Sequence, residues 1–95
     1  MQELEPMEET LTYKPDAGLE DMGFKPYRNP SGICYYPEVE RRTTLFGGTR
    51  FRAIIHWAYG DYDAVSASSM DVLVILWNKK VARMEKRASR MWKKI

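Results

Sequence analysis

The chain has 95 residues, 44% apolar and 13% aromatic, and its 15 Lys and Arg against 13 Asp and Glu leave a net charge of +2. That is enough for one hydrophobic core and no more, since a domain of this size buries only roughly 60% of its unfolded surface. One cysteine excludes an internal disulfide or an all-cysteine metal site, one histidine restricts metal and acid-base chemistry, and the longest apolar run, Val72 to Trp77, is too short to cross a bilayer.

The small net charge conceals a polarity along the chain. Residues 1–24 carry Glu3, Glu5, Glu8, Glu9, Asp16, Glu20 and Asp21 against Lys14, a net of −6, whereas residues 79–95 carry +7 and the middle +1. Residues 1–18, with Pro6, Pro15 and few large apolar side chains, read as an acidic flexible tail, and residues 19–95 as a single globular domain. Folded back onto the basic end the tail would mask it; the alternative is that both charge runs are ordinary solvated surface. Met1 to Glu9 is acidic where a secretory segment would be basic and then apolar, and the lone Cys34 fits a reducing compartment, so the expected location is cytoplasmic.

From Gly18 to Gly32 the punctuation of Gly18, Gly23, Pro26, Asn29-Pro30 and Ser31-Gly32 predicts turns, with Phe24 and Tyr27 pinning them to the core. Ile33-Cys34-Tyr35-Tyr36, stopped by Pro37, predicts an edge strand in which Cys34 is a small buried hydrophobe. Arg41 to Phe46 and Thr49 to Tyr59 flank Gly47-Gly48, the signature of a two-residue hairpin whose central positions both need positive φ. In its second arm Phe51, Ala53, Ile55, Trp57 and Tyr59 share one face, with Arg50, Arg52 and His56 on the other. Phe51, Ile54, Ile55 and Ala58 also fit a helical template, which would make the fold mainly α; the glycine pair and the five-position alternation favour the strand.

Gly60-Asp61-Tyr62-Asp63 reads as a turn. Ser68-x-x-Asp71 then resembles a capping box, with the carboxylate at the positive end of the helix dipole. No Gly or Pro follows, which predicts a helix over about residues 68–95, a rod of about 40 Å. The fold class is therefore α+β, a small antiparallel sheet packed with one long C-terminal helix.

Along that helix Met70, Val74, Trp77, Val81, Met84, Ala88, Met91 and Ile95 recur at alternating spacings of four and three, a heptad seam. Two uses compete for it: packing on the chain's own sheet, or self-association through Trp77, Val81, Met84, Ala88, Met91 and Ile95. The first two turns, apolar nearly all round, are expected in the core, while the last four keep a stripe and carry Lys79, Lys80, Arg83, Lys86, Arg87, Arg90, Lys93 and Lys94. With Arg50 and Arg52, these cations are the candidate partner-binding residues.

No catalytic constellation is present. His56 has no positioned nucleophile to serve, and Asp61 with Asp63 does not match a calcium loop, so neither catalysis nor a cofactor is expected. Gly47-Gly48-Thr49-Arg50-x-Arg52 could hold a phosphate, with a base stacked on Tyr59 or Trp57, yet matches no nucleotide fingerprint.

The expectation that follows is a non-enzymatic protein-binding module: an inhibitor or adaptor acting through a basic, Met- and Trp-rich helix. Its partner would be a larger protein with an acidic or nucleic-acid-binding surface, and the profile resembles the short host-interaction proteins of viruses and mobile elements. Direct nucleic-acid binding and homo-oligomeric assembly are the alternatives, and no membrane role is expected.

Overall fold

A computed structural model describes residues 9–13, 18–43 and 45–93, of which 9–13 and 91–93 are described through the backbone alone. Among these residues six strands precede one helix: β1 (Glu9–Tyr13), β2 (Tyr27–Arg28), β3 (Cys34–Tyr35), β4 (Glu38–Thr43), β5 (Thr49–His56), β6 (Tyr62–Ala67) and α1 (Met70–Lys93). Four strands form an antiparallel sheet in the order β1-β4-β5-β6, and β2 and β3 pair as a separate short ladder. The α+β class is as the sequence predicts, and β5 settles the strand-or-helix ambiguity of its segment.

β4 and β5 make the hairpin around Gly47-Gly48, with Thr43 opposite Thr49. Its connection covers residues 44–48 rather than two residues, and of the glycine pair only Gly47 takes positive φ, 83°. A two-residue turn would need both glycines there; the longer loop relieves that demand and leaves Leu45 and Phe46 exposed at the tip. Along β5 the predicted alternation holds for Ala53 and Ile55, which are buried, and for Arg50, Arg52 and His56, which are exposed. Ile54 is buried as well, on the opposite face between Glu38 and Ala64. Tyr59 does not join the inner face. It falls in a 3-10 turn, Ala58–Gly60, at φ 61°, and is fully exposed.

Three elements differ from the sequence reading. Glu9–Tyr13, assigned to the flexible tail, is strand β1, pairing with β4 from Glu9 opposite Thr43 to Tyr13 opposite Val39; the rest of the predicted tail, except Gly18, lies outside the described residues. Tyr62 and Asp63, read as a turn, begin β6, where Asp63 faces Ile55 across the ladder. Cys34 is exposed: among the described residues β3 pairs with β2 alone, in a ladder of two residue pairs that leaves this side chain uncovered.

α1 starts later than expected. Ser69 rather than Ser68 caps it, its Oγ accepting from the Val72 amide at 3.3 Å, which places Asp71 in the first turn. Leu73, Trp77, Val81 and Met84 form the buried stripe, packing on Val39, Ala53, Ile55 and Ala67 of the sheet and on Leu19, Phe24 and Tyr27 of the preceding loops. Burying an indole, roughly 200 Å² at about 25 cal/mol per Å², is an effect of about 5 kcal/mol, so Trp77 dominates this core. The self-association seam is thereby corrected. Trp77, Val81 and Met84 are buried inside their own chain and Ala88 is half-buried against them, so this part of the stripe is spent on the chain's own core rather than on a second copy. The side chain of Met91 and all of Ile95 lie outside the described residues. The opening turns are also less buried than expected: Val72 and Ile75 are 46% and 54% exposed.

The helix also holds the segment in front of the sheet. Trp77 Nε1 donates to the Lys25 carbonyl at 2.9 Å, Asn78 accepts from the Lys25 amide and donates to the Gly23 carbonyl, each at 2.9 Å, and Glu85 accepts from the Arg28 amide at 2.8 Å. Gly23 allows this approach. It sits at φ 103°, and a Cβ there would come within 3.2 Å of Val74.

Candidate functional site

At about 100° per residue, Lys79, Arg83, Lys86 and Arg90 fall on the side of α1 opposite its buried stripe. All four are exposed, as is Arg87 on the flank. Among the described residues no ion pair holds any of these five; Lys80 alone of the helix cations is paired, its Nζ 3.2 Å from Asp63 Oδ1. Lys93 is described only in its backbone, and Lys94 lies outside the described residues. The outer face changes character along its length, from Val72 and Ile75 in the first turns to the cations beyond.

Arg50 and Arg52 do not belong to this surface. They alternate with Ala53 and Ile55 along β5 and so project from the sheet face that α1 leaves uncovered. There Arg52 is paired with Glu40, Nη2 at 2.7 Å, and Arg50 reaches Ser66 Oγ at 3.4 Å. The structure thus divides the predicted partner-binding set between two faces.

Beside the basic stripe lies a cleft of about 380 Å³ that includes Arg87, Met84 and Ala88 of the helix in its lining. Its far wall is aromatic. Tyr27 and Tyr35, on adjacent strands, stack with centroids 6.3 Å apart, and Trp57 meets them edge-on at 5.8 and 5.3 Å. Tyr27 is buried, while Tyr35 and Trp57 are only partly covered. Burial, and then the Glu85 carboxylate, push the Tyr27 phenol above its usual value, so it stays a neutral wall of the cleft.

Asp63 fixes the geometry. It accepts from Trp57 Nε1 at 2.7 Å through Oδ2 and faces Lys80 through Oδ1, which joins the end of β5 to the helix. Burial alone would raise the carboxyl, but the bond from Trp57 and the Lys80 ammonium outweigh it and hold it below the usual carboxylate value. Asn29 adds a polar edge: its Oδ1 accepts from the Ile33 amide at 2.9 Å, leaving the Nδ2 hydrogens as donors with no partner among the described residues. A second recess, of about 390 Å³, continues along the helix; Met84 and Arg87 line both, and Lys80, Arg83, Lys86 and Arg90 line the second.

Sequence reasoning found the helix cations and Trp57, and missed Tyr27, Tyr35, Asn29 and Asp63 as members of one site. The tyrosines were visible as aromatic residues, but nothing in their spacing brings residues 27, 35, 57 and 87 together; that requires the pairing of β2 with β3 and the docking of β2 on α1. Among the described residues no group of His, Cys, Asp and Glu could hold a metal ion, and no helix is long and apolar enough to cross a membrane. No family model, curated protein or solved structure matches the chain.

Proposed function

We propose that this protein is a small non-enzymatic binding module, an inhibitor or adaptor that uses the outer face of α1 to occupy an anionic surface of a larger protein. The observation that carries this reading is the set of five exposed cations, Lys79, Arg83, Lys86, Arg87 and Arg90, none of which is held in an ion pair among the described residues. Charges left free and aligned on a rigid helix steer an oppositely charged partner and fix its register. Val72 and Ile75, exposed one and two turns upstream, supply the apolar contact that a charged stripe alone lacks. An acidic patch on the partner is the surface this stripe matches in sign. The exposed single thiol of Cys34 fits action in the reducing cytoplasm.

The test is a quadruple reversal, K79E/R83E/K86E/R90E, on the face opposite the core, compared with wild type in capture from a cell lysate. Loss of the salt-sensitive partners with an unchanged circular dichroism spectrum is expected. Identical partner sets would overturn the assignment of this face.

A second reading, direct nucleic-acid binding, is favoured by one further observation: the basic stripe borders an aromatic cleft, and phosphate-binding cations beside stacking rings are what nucleic acid requires.

A further inference from the structure

We infer that the cleft between Tyr35, Trp57 and Arg87 seats one unpaired base of a single-stranded nucleic acid, whose flanking phosphates run along the adjoining recess over Arg83, Lys86 and Arg90. The inference rests on the nucleic-acid reading above and deepens it by naming the strandedness and the seat of one base.

Four observations carry it. The rings offer one platform: Tyr35 and Trp57 are partly uncovered and line the same cleft, and since they meet edge to face at 5.3 Å a base stacked flat on one of them is bordered by the other. Base-aromatic stacking needs only a π-face and tolerates any base. The size fits, because about 380 Å³ lies at the lower end of the range of small-ligand sites, roughly 300–1,000 Å³. The polar edge fits as well, since Asn29 Nδ2 and the Arg87 guanidinium are donors, matched to the carbonyl and ring-nitrogen acceptors of a base. Finally, the cleft does not stop at its own wall: Arg87 and Met84 line it and the basic recess alike, so a base in the first places its phosphodiester in the second.

The same features argue against the other occupants of an aromatic pocket. A quaternary or methylated ammonium needs rings around it and a carboxylate free to face it. Here the three rings pack on one another at 5.3–6.3 Å, Asp63 is already met by Lys80, and Arg87 adds a positive charge. A base stacked within a duplex cannot enter a recess without leaving its pair, which is why a single strand is specified.

Fluorescence anisotropy of labelled 12-mers decides the matter: oligothymidylate, oligouridylate, an abasic strand of equal charge, and a duplex, with poly-glutamate as a polyanion that has no bases. The single strands with bases are expected to bind roughly ten-fold or more tightly than the abasic strand and the duplex, irrespective of sugar. Tyr35→Ala and Trp57→Leu should each erase that advantage, a loss of roughly 5- to 100-fold for stacking, while abasic-strand and poly-glutamate affinities stay within two-fold. Because Trp57 also holds Asp63, Tyr35→Ala keeps the test sound if the Trp57 variant misfolds. Equal affinity for the abasic and base-bearing strands, or full retention of the difference in Tyr35→Ala, overturns the base seat and leaves the nucleic-acid reading standing. Absence of binding to every oligonucleotide at low ionic strength, with poly-glutamate still bound, overturns both and returns the helix face to a protein partner.

Discussion

On the outer face of the sheet Arg52 turns its guanidinium onto Glu40, Nε at 3.0 Å and Nη2 at 2.7 Å, and Arg50 reaches Ser66, whereas on the outer face of α1 Arg83 and Arg90 meet no carboxylate among the described residues. The two regions use the same side chain, exposed in both, to opposite ends. In the sheet, strand register sets Glu40 opposite Arg52, so that pair is satisfied within the ladder, while Arg42 lies opposite Arg50 two positions along. On the helix the nearest acid, Glu85, accepts a backbone amide instead, and the cations remain for an outside partner. A count of basic residues therefore overstates an interface; what matters is which of them the fold has already satisfied.

Breaking the inner side of α1 gives the largest effect. Trp77→Ala removes a fully buried indole together with its bond to the Lys25 carbonyl, and a loss of about 3–5 kcal/mol in denaturant unfolding is expected, enough to unfold a marginal domain. An effect under about 1 kcal/mol would return the seam to self-association. Asp63→Asn is next, at roughly 1–3 kcal/mol near neutral pH, because it weakens the bonds from Trp57 and Lys80 to a carboxylate. The folded carboxyl lies below its ordinary value of 3.8, so this contribution is complete above that pH and is lost as pH falls through the lower folded value. The stability gap between wild type and Asp63→Asn, measured by urea titration, should be flat from about pH 7 to 5 and shrink below about pH 4. The smallest effect belongs to the self-paired ladder. Arg52→Ala, at a side chain 46% exposed, should cost under about 1 kcal/mol and less in high salt, and should leave anionic-partner binding within two-fold. A large binding loss would show that the sheet face belongs to the interface after all.

The helix was the most legible element because its information is local: an unbroken run without Gly or Pro, a periodic apolar stripe and a serine at its start. The β4–β5 hairpin was legible for the same reason, through glycines between β-favouring arms, although loop length was not, since it depends on which threonines pair. β6 was hidden by Asp61 and Asp63, residues that favour turns in isolation; in the fold Asp63 is compensated by Trp57 and Lys80, contacts that sequence spacing does not announce. β1 escaped notice because Glu9, the carboxylates around the strand and the flanking prolines outweighed the short alternation of Thr10, Leu11, Thr12 and Tyr13. The cations of the site were legible and their availability was not. The cleft was illegible altogether, being assembled from four separate stretches of chain.

The clasp of Trp77, Asn78 and Glu85 on residues 23–28 bears on how that cleft behaves. The ladder of β2 and β3 has only two residue pairs, too few to persist alone, so its tyrosines stand where they do only while the helix grips the backbone beside them. Occupancy of the cleft and docking of this segment are then linked reciprocally: whatever settles against Tyr35 also tightens a bond that itself spans 57 positions of sequence.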